Sequence, residues 1–206
     1  MIYVTCRIIP DGDSTVGLYQ KALTEFGQHN AEYIGEIYTR TEKSATQSLY
    51  SLLCLAELLR DANADPQTLS LKRAEGGKPY FEDNEWQFNI SHSGNCVAVV
   101  LSNEGAVGID IETANISEDK AEKMAKRFFT ESEQAVVFED PAAFCELWSK
   151  KEAIAKYFGM GLGNFVKQTR EKEWEHEEQV QVLSLNVLDK NVILCASKGS
   201  SAPHIV

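Results

Sequence analysis

Between Leu69 and Glu112 the chain consists of short apolar runs cut by turn residues, and this punctuation constrains its fold more than any other feature. The cuts are Gly-Gly-Lys-Pro at 76–79, Ser-His-Ser-Gly-Asn at 91–95 and Ser-Asn-Glu-Gly at 102–105. Runs this short, bounded by Gly, Pro, Asn and Ser, predict strands at about 86–90, 96–101 and 106–112, arranged as an antiparallel meander. The last of them ends in Gly-Ile-Asp-Ile-Glu, residues 108–112. Side chains alternate along a strand, so Asp110 and Glu112 share one face and Ile109 and Ile111 the other. Two readings of the paired carboxylates are open. They are a solvated strand end with mild repulsion, or a partly dry site whose repulsion a cation neutralises. A hard divalent ion such as Mg²⁺ suits the second reading, and a further carboxylate such as Glu152 would complete it.

Outside this region the periodicity changes. Met1 to Ile9 reads as a strand closed by Pro10-Asp-Gly. Lys43 to about Arg60 reads as a helix with Leu49, Leu52, Leu53, Ala56 and Leu59 on its apolar stripe. Thr130-Glu-Ser-Glu predicts a capping box. A further helix is expected from Pro141 to about Phe158, stopped by Gly159, with Gly161-Leu-Gly too flexible to prolong it. Val180 to Ser197 alternates again and predicts a hairpin turning at Asp189-Lys-Asn. Strand and helix groups in both halves give an α+β class, and no internal repeat is strong enough to establish duplication.

A chain of 206 residues admits one large domain or two small ones. The net charge of −11 sets its field against nucleic acids and anionic membranes. No apolar run approaches the ~18 residues of a membrane span, and the N-terminus carries no export-signal pattern. The five cysteines are scattered, with no Cys-x-x-Cys pair. This disfavours a disulfide framework or zinc site and makes a reducing cytoplasm the expected location.

Three other clusters could carry chemistry. In the helix around Phe144-Cys-Glu-Leu-Trp-Ser-Lys-Lys-Glu, the residues Phe144, Leu147, Ile154 and Phe158 fall on one stripe with Lys151 in its middle. Lys151 either snorkels its ammonium to water or meets an anion in a cleft. Glu152 and Lys156 have the spacing and orientation of an i, i+4 ion pair. Asn89-Ile-Ser-His-Ser places His92 between two serines in a turn, which either caps the loop or binds phosphate. His29, His176 and His204 stand without a partner motif and read as surface residues. There is no Gly-x-Ser-x-Gly elbow, phosphate-binding loop, dinucleotide fingerprint or His-Glu-x-x-His.

Gly77-Lys-Pro-Tyr-Phe, Phe88-Asn-Ile-Ser-His-Ser, Gly108-Ile-Asp-Ile-Glu, Lys126-Arg-Phe-Phe and Trp148-Ser-Lys-Lys-Glu-Ala-Ile-Ala-Lys-Tyr-Phe-Gly-Met-Gly-Leu resemble, in order and spacing, the Sfp-type 4′-phosphopantetheinyl transferases. The resemblance is strong over about 70–163 and weak on the flanks. It implies a pseudo-two-fold α+β fold, with similar halves at 1–105 and 106–206 and coenzyme A and metal at their junction. A chain of two halves could build this site as a monomer. The reaction it implies is Mg²⁺-dependent transfer of phosphopantetheine from coenzyme A to a serine of an apo acyl or peptidyl carrier protein. Asp110, Glu112 and Glu152 match the metal-binding positions, with Glu152 also the general-base candidate. Lys156 matches a pyrophosphate contact and Lys151 an anchoring lysine of the same motif. Lys78, Ser91 and His92 match positions that contact coenzyme A. For the 3′-phosphate Arg40 and Lys43 are available, but Gln47 stands where several members carry arginine. Lys120, Lys123, Lys126 and Arg127 offer either a local basic approach for an acidic carrier or a solvated helix face.

Overall fold

The structure, a computed structural model, describes residues 1–112, 116–169, 179–188 and 190–206. Strand β1 (Ile2–Ile8) lies between β5 (Cys96–Ser102), antiparallel, and β9 (His204–Ile205), parallel. With β4 (Gln87–Ser93) beyond β5, the sheet order is β4-β5-β1-β9. Every residue of β5 is buried, because its two faces feed two cores. Val97, Val99 and Leu101 pack under helices α1 (Thr15–Phe26), α2 (Ala31–Tyr38) and α3 (Glu42–Asp61). Cys96, Ala98 and Val100 face a second sheet, of order β6-β8-β7, through Ile109, Ile111 and Leu194.

The second sheet comprises β6 (Val107–Ile111), β7 (Val180–Val187) and β8 (Lys190–Ser197), all antiparallel. Here the expected meander is corrected. β4 and β5 pair as anticipated, but β6 leaves their sheet and pairs with β8. The free edge of β5 is already taken by β1, in register from Ile2↔Ser102 to Ile8↔Cys96. β6 therefore stacks across rather than alongside.

The predicted long helix is α3, with Leu49, Leu52, Ala56 and Leu59 buried as its stripe requires. The hairpin of β2 (Ser70–Arg73) and β3 (Pro79–Glu82) is fastened to the helices by buried Asn30. The Asn30 amide donates to Phe26 O (2.6 Å) and Leu69 O (2.8 Å), and its oxygen accepts from Leu71 N (2.7 Å).

In the second half, α4 (Glu118–Phe128) and α5 (Glu131–Glu139) precede α6 (Ala143–Tyr157), which packs on β6 and β8. The capping box forms as predicted between Thr130 and Glu133. Phe129, Phe144 and Trp148 stack in succession. Gly159 ends α6 with φ of 68°. Gly161-Leu-Gly does not prolong α6, but a further helix, α7 (Leu162–Thr169), begins almost at once, so that Leu162 and Gly163 are themselves helical. The buried Leu162, Phe165 and Val166 explain it, since their packing outweighs the cost of Gly163. The β7–β8 hairpin is present, but Lys190 and Asn191 belong to β8 rather than the turn. Asp189 and His176 lie outside the described residues.

Candidate active site

β4 and β6 belong to different sheets and are joined by side chains from alternate positions of Asn-Ile-Ser-His-Ser. Asn89 Oδ1 accepts from Ile109 N (3.0 Å) and Ser91 Oγ accepts from Ile111 N (3.4 Å). Ser91 donates to Asp110 Oδ1 (2.7 Å), and Ser93 donates to Glu112 Oε1 (2.5 Å). Both carboxylates thus face β4, each held by one serine, with Asp110 6% exposed. The alternation that puts Asp110 and Glu112 on one face puts their serines on the facing side.

Helix α6 brings the cation. Lys156 Nζ lies 2.7 Å from Asp110 Oδ1, 2.9 Å from Ser91 Oγ and 3.1 Å from Ile109 O. The expected i, i+4 pair with Glu152 does not form, because Lys156 reaches across to a buried carboxylate instead of along its own helix. Glu152 lies on the same helix, its carboxyl pushed up by burial and further by the charge of Asp110, with Lys156 opposing. α6 can approach so closely only because residue 108 is glycine. A Cβ there would stand 2.0 Å from Ala153 O and 2.5 Å from Tyr157 N. The demand comes from helix–strand contact rather than from a turn.

The other sequence candidates are placed as follows. Lys151 is 12% exposed and pairs with Glu133 Oε1 (2.9 Å), its ammonium 5.7 Å from the centre of the Phe129 ring. It therefore neither snorkels to water nor faces the Ser91–Asp110–Lys156 cluster; it ties α6 to α5. Lys78 turns inward and donates to Val107 O (3.2 Å) and Lys156 O (2.8 Å), and burial lowers its ammonium to about 8. It links the β2–β3 hairpin region to β6 and to the end of α6. His92, of opposite parity to Ser91, points to the other face of β4 into a pocket of about 160 Å³ that Arg40 also lines. Burial and the charges of Lys156 and Arg40 lower the His92 imidazole. Arg40 donates to Ser48 Oγ (3.3 Å). Lys43 is exposed on the first turn of α3 and does not line that pocket, and Gln47 donates its amide to Gly94 O (2.8 Å).

Among the described residues no three His, Cys, Asp or Glu side chains form a ready-made metal cage. The donor set nevertheless fits a hard cation. Its candidate ligands are carboxylate oxygens, with Asp110 and Glu112 side by side on one face at the end of β6, the donor type that a divalent ion such as Mg²⁺ takes.

The sequence reading named the Asn89–Ser93 stretch but not the separate contacts of Asn89 and Ser93 across to β6, nor Glu133 as the partner of Lys151. The parity of Asn89, Ser91 and Ser93 was a usable signal for the first two.

The arrangement is a two-part α+β protein in which strands of both parts and one helix of the second converge on a buried carboxylate, two half-buried ones and a lysine. Residues 15–104 match the model described as 4′-phosphopantetheinyl transferase, N-terminal, and residues 106–197 that of the 4′-phosphopantetheinyl transferase superfamily. The chain is 30% identical over 180 residues to the 4′-phosphopantetheinyl transferase psf-1 of Bacillus pumilus, covering 78% of this chain and 75% of that one. It is 35% identical over 121 residues to Sfp of Bacillus subtilis, 55% and 52% of the two chains. Against AcpT of Salmonella typhi it is 42% identical over 92 residues, 41% and 47%. The chain belongs to the 4′-phosphopantetheinyl transferase family. It spans little more than half the length of several of its curated relatives.

Proposed function

We propose that this protein transfers the 4′-phosphopantetheine group of coenzyme A to a serine of an apo acyl or peptidyl carrier protein, releasing adenosine 3′,5′-bisphosphate. The observation that carries the reading is the convergence of Asp110, Ser91 and Lys156, with Glu112 and Glu152 alongside, where the two family-matched segments meet. The carrier serine oxygen attacks the phosphorus bearing pantetheine, and the bond to the bridging oxygen on the adenosine side breaks. Glu152, whose carboxyl is raised by burial, accepts the hydroxyl proton. Lys156, held at Asp110, donates to a pyrophosphate oxygen on which charge builds. Asp110, Glu112 and Glu152 would hold Mg²⁺, which supplies Lewis-acid stabilisation of the pyrophosphate. His92 and Arg40 receive the nucleotide end on the far face of β4. With both segments in one chain, the site needs no second copy, so a monomer suffices, and a cytoplasmic location gives access to coenzyme A and carriers. Among the described residues no helix is long and apolar enough to cross a membrane.

The deciding experiment mixes the protein with coenzyme A, Mg²⁺ and a panel of apo carrier proteins and reads intact mass. A phosphopantetheine adduct on a carrier, lost with EDTA and with Asp110→Ala, is expected. Cleavage of coenzyme A without an adduct would replace the reading with a hydrolase. Carrier binding with neither outcome would replace it with a non-catalytic module.

A further inference from the structure

Ser51 in α3 and Ser149 in α6 are both buried inside helices, yet only one of them is satisfied. Ser51 donates to Gln47 O, one turn back (2.7 Å), the usual outlet for a hydroxyl within a helix. Ser149 is 2% exposed, and its Oγ has no hydrogen-bond partner among the described residues. Packing alone does not ask for a hydroxyl here, since Ala153, one turn further on, is just as deeply buried. An unpaired buried hydroxyl is a standing cost, and beside a functional site it marks a donor kept for the loaded state.

The place of Ser149 on α6 shows which group it serves. Cys145, Ser149, Glu152 and Lys156 follow one another at intervals of four, three and four residues, which sets them within an arc of about 60° on one side of the helix. At one end of this stripe Lys156 Nζ reaches Asp110 Oδ1 (2.7 Å). At the other, the charge of Glu112 is felt at the Cys145 thiol. Ser149 lies between these ends, on the side of α6 that meets the two carboxylates of the acidic strand. Helical side chains lean toward the N-terminus, so the carboxyl of Glu152 is carried back over the turn that holds Ser149.

We propose that Ser149 is a positioning residue whose Oγ donates to the Glu152 carboxylate when that carboxylate, with Asp110 and Glu112, holds a divalent ion; this rests on the metal reading above. The serine touches no substrate atom and acts through Glu152. By taking one carboxylate oxygen it leaves the other for the ion and fixes how Glu152 presents it, which is the role that outer partners of ligating carboxylates play.

The test uses the full chain as wild type, Ser149→Ala and Ser149→Thr. In EDTA, Ser149→Ala should melt a few degrees above wild type, because it removes an unpaired hydroxyl and introduces the better helix former. Titration with Mn²⁺ in the presence of coenzyme A, followed by the paramagnetic resonance of the free ion against a protein-free control, should move the other way. Ion binding is expected to weaken about 10-fold or more in Ser149→Ala and to be retained in Ser149→Thr. A serine that merely fills space would not give these opposed shifts. Equal Mn²⁺ affinity in Ser149→Ala and wild type, or equal loss in Ser149→Ala and Ser149→Thr, overturns the assignment and leaves the metal reading intact. So does a Ser149→Ala protein that melts below wild type in EDTA. Wild-type protein that binds no Mn²⁺ overturns the metal reading and this inference with it. Should Ser149→Thr fail to fold, the opposed shifts in Ser149→Ala decide.

Discussion

Replacing Gly108 by alanine should damage stability and rate together, by amounts that follow from one distance. The added Cβ would stand 2.0 Å from Ala153 O and 2.5 Å from Tyr157 N, where such contacts essentially never fall under 3.0 Å. Both obstacles are helix backbone, so no side chain can rotate away, and α6 must retreat from β6 by about 1 Å. Overpacking of this kind costs about 1–3 kcal/mol. For a chain of this size each kcal/mol lowers the melting temperature by roughly 2–4 °C, so a fall of roughly 2–12 °C is expected. The same retreat moves Glu152 and Lys156 together, and Lys156 Nζ, now 2.7 Å from Asp110, goes to the limit of hydrogen-bond range. Misplacement by about 1 Å can cost on the order of 100-fold in rate. Thermal melts followed by circular dichroism and carrier-modification rates by mass spectrometry measure the two effects. A contrasting variant is Gly35→Ala, inside α2 with nothing within 4 Å of the added carbon. It should stabilise by about 0.5–1 kcal/mol. A Gly108→Ala protein with wild-type melting temperature and rate would refute the argument that the glycine sets the position of α6.

Three further outcomes are expected. Asn30→Ala strips Leu71 N of its acceptor and Phe26 O and Leu69 O of a donor, so denaturant titration should show a loss of about 3 kcal/mol; a change under 1 kcal/mol would mean the hairpin is held otherwise. Lys78 titrates near 8 in the folded chain and at its ordinary 10.5 when unfolded, so between these values the unfolded state holds the extra proton and stability rises with pH. Comparing urea midpoints at pH 7.5 and 10, Lys78→Met should lose that rise, and identical pH slopes in both proteins would show that the ammonium is not desolvated. Charge reversal at Lys123 and Lys126 on α4 should raise the apparent KM for carrier protein far more than for coenzyme A, and equal effects would exclude a docking role.

What the sequence disclosed was local. The capping box at Thr130, the strand around Val99 and the facing of Asp110 with Glu112 depend on near neighbours and on parity, and all are present. Partner choice is non-local and was misread. β6 looked like the next strand of a meander because nothing in residues 86–112 reveals that β1 occupies the edge it would need. Lys156 looked like the partner of Glu152 for the same reason, since spacing along a helix says nothing of a carboxylate on a strand 46 residues away. The motif residue Lys78 proved to face two carbonyls, and Arg73, in no motif, proved to line the pocket on the His92 face of β4.

Strand β4 acts as a partition. On one side it presents Asn89, Ser91 and Ser93 to the acidic strand, and on the other Ile90 and His92 to the basic pocket. Ser91 and His92 are covalent neighbours that serve opposite faces, so a substitution on one side leaves the contacts of the other in place, though the charge of Lys156 is felt by the imidazole across the strand. Length is a different matter. One residue inserted before Ser91 would exchange the occupants of both compartments at once, sending the imidazole toward Glu112 and a hydroxyl toward Arg40.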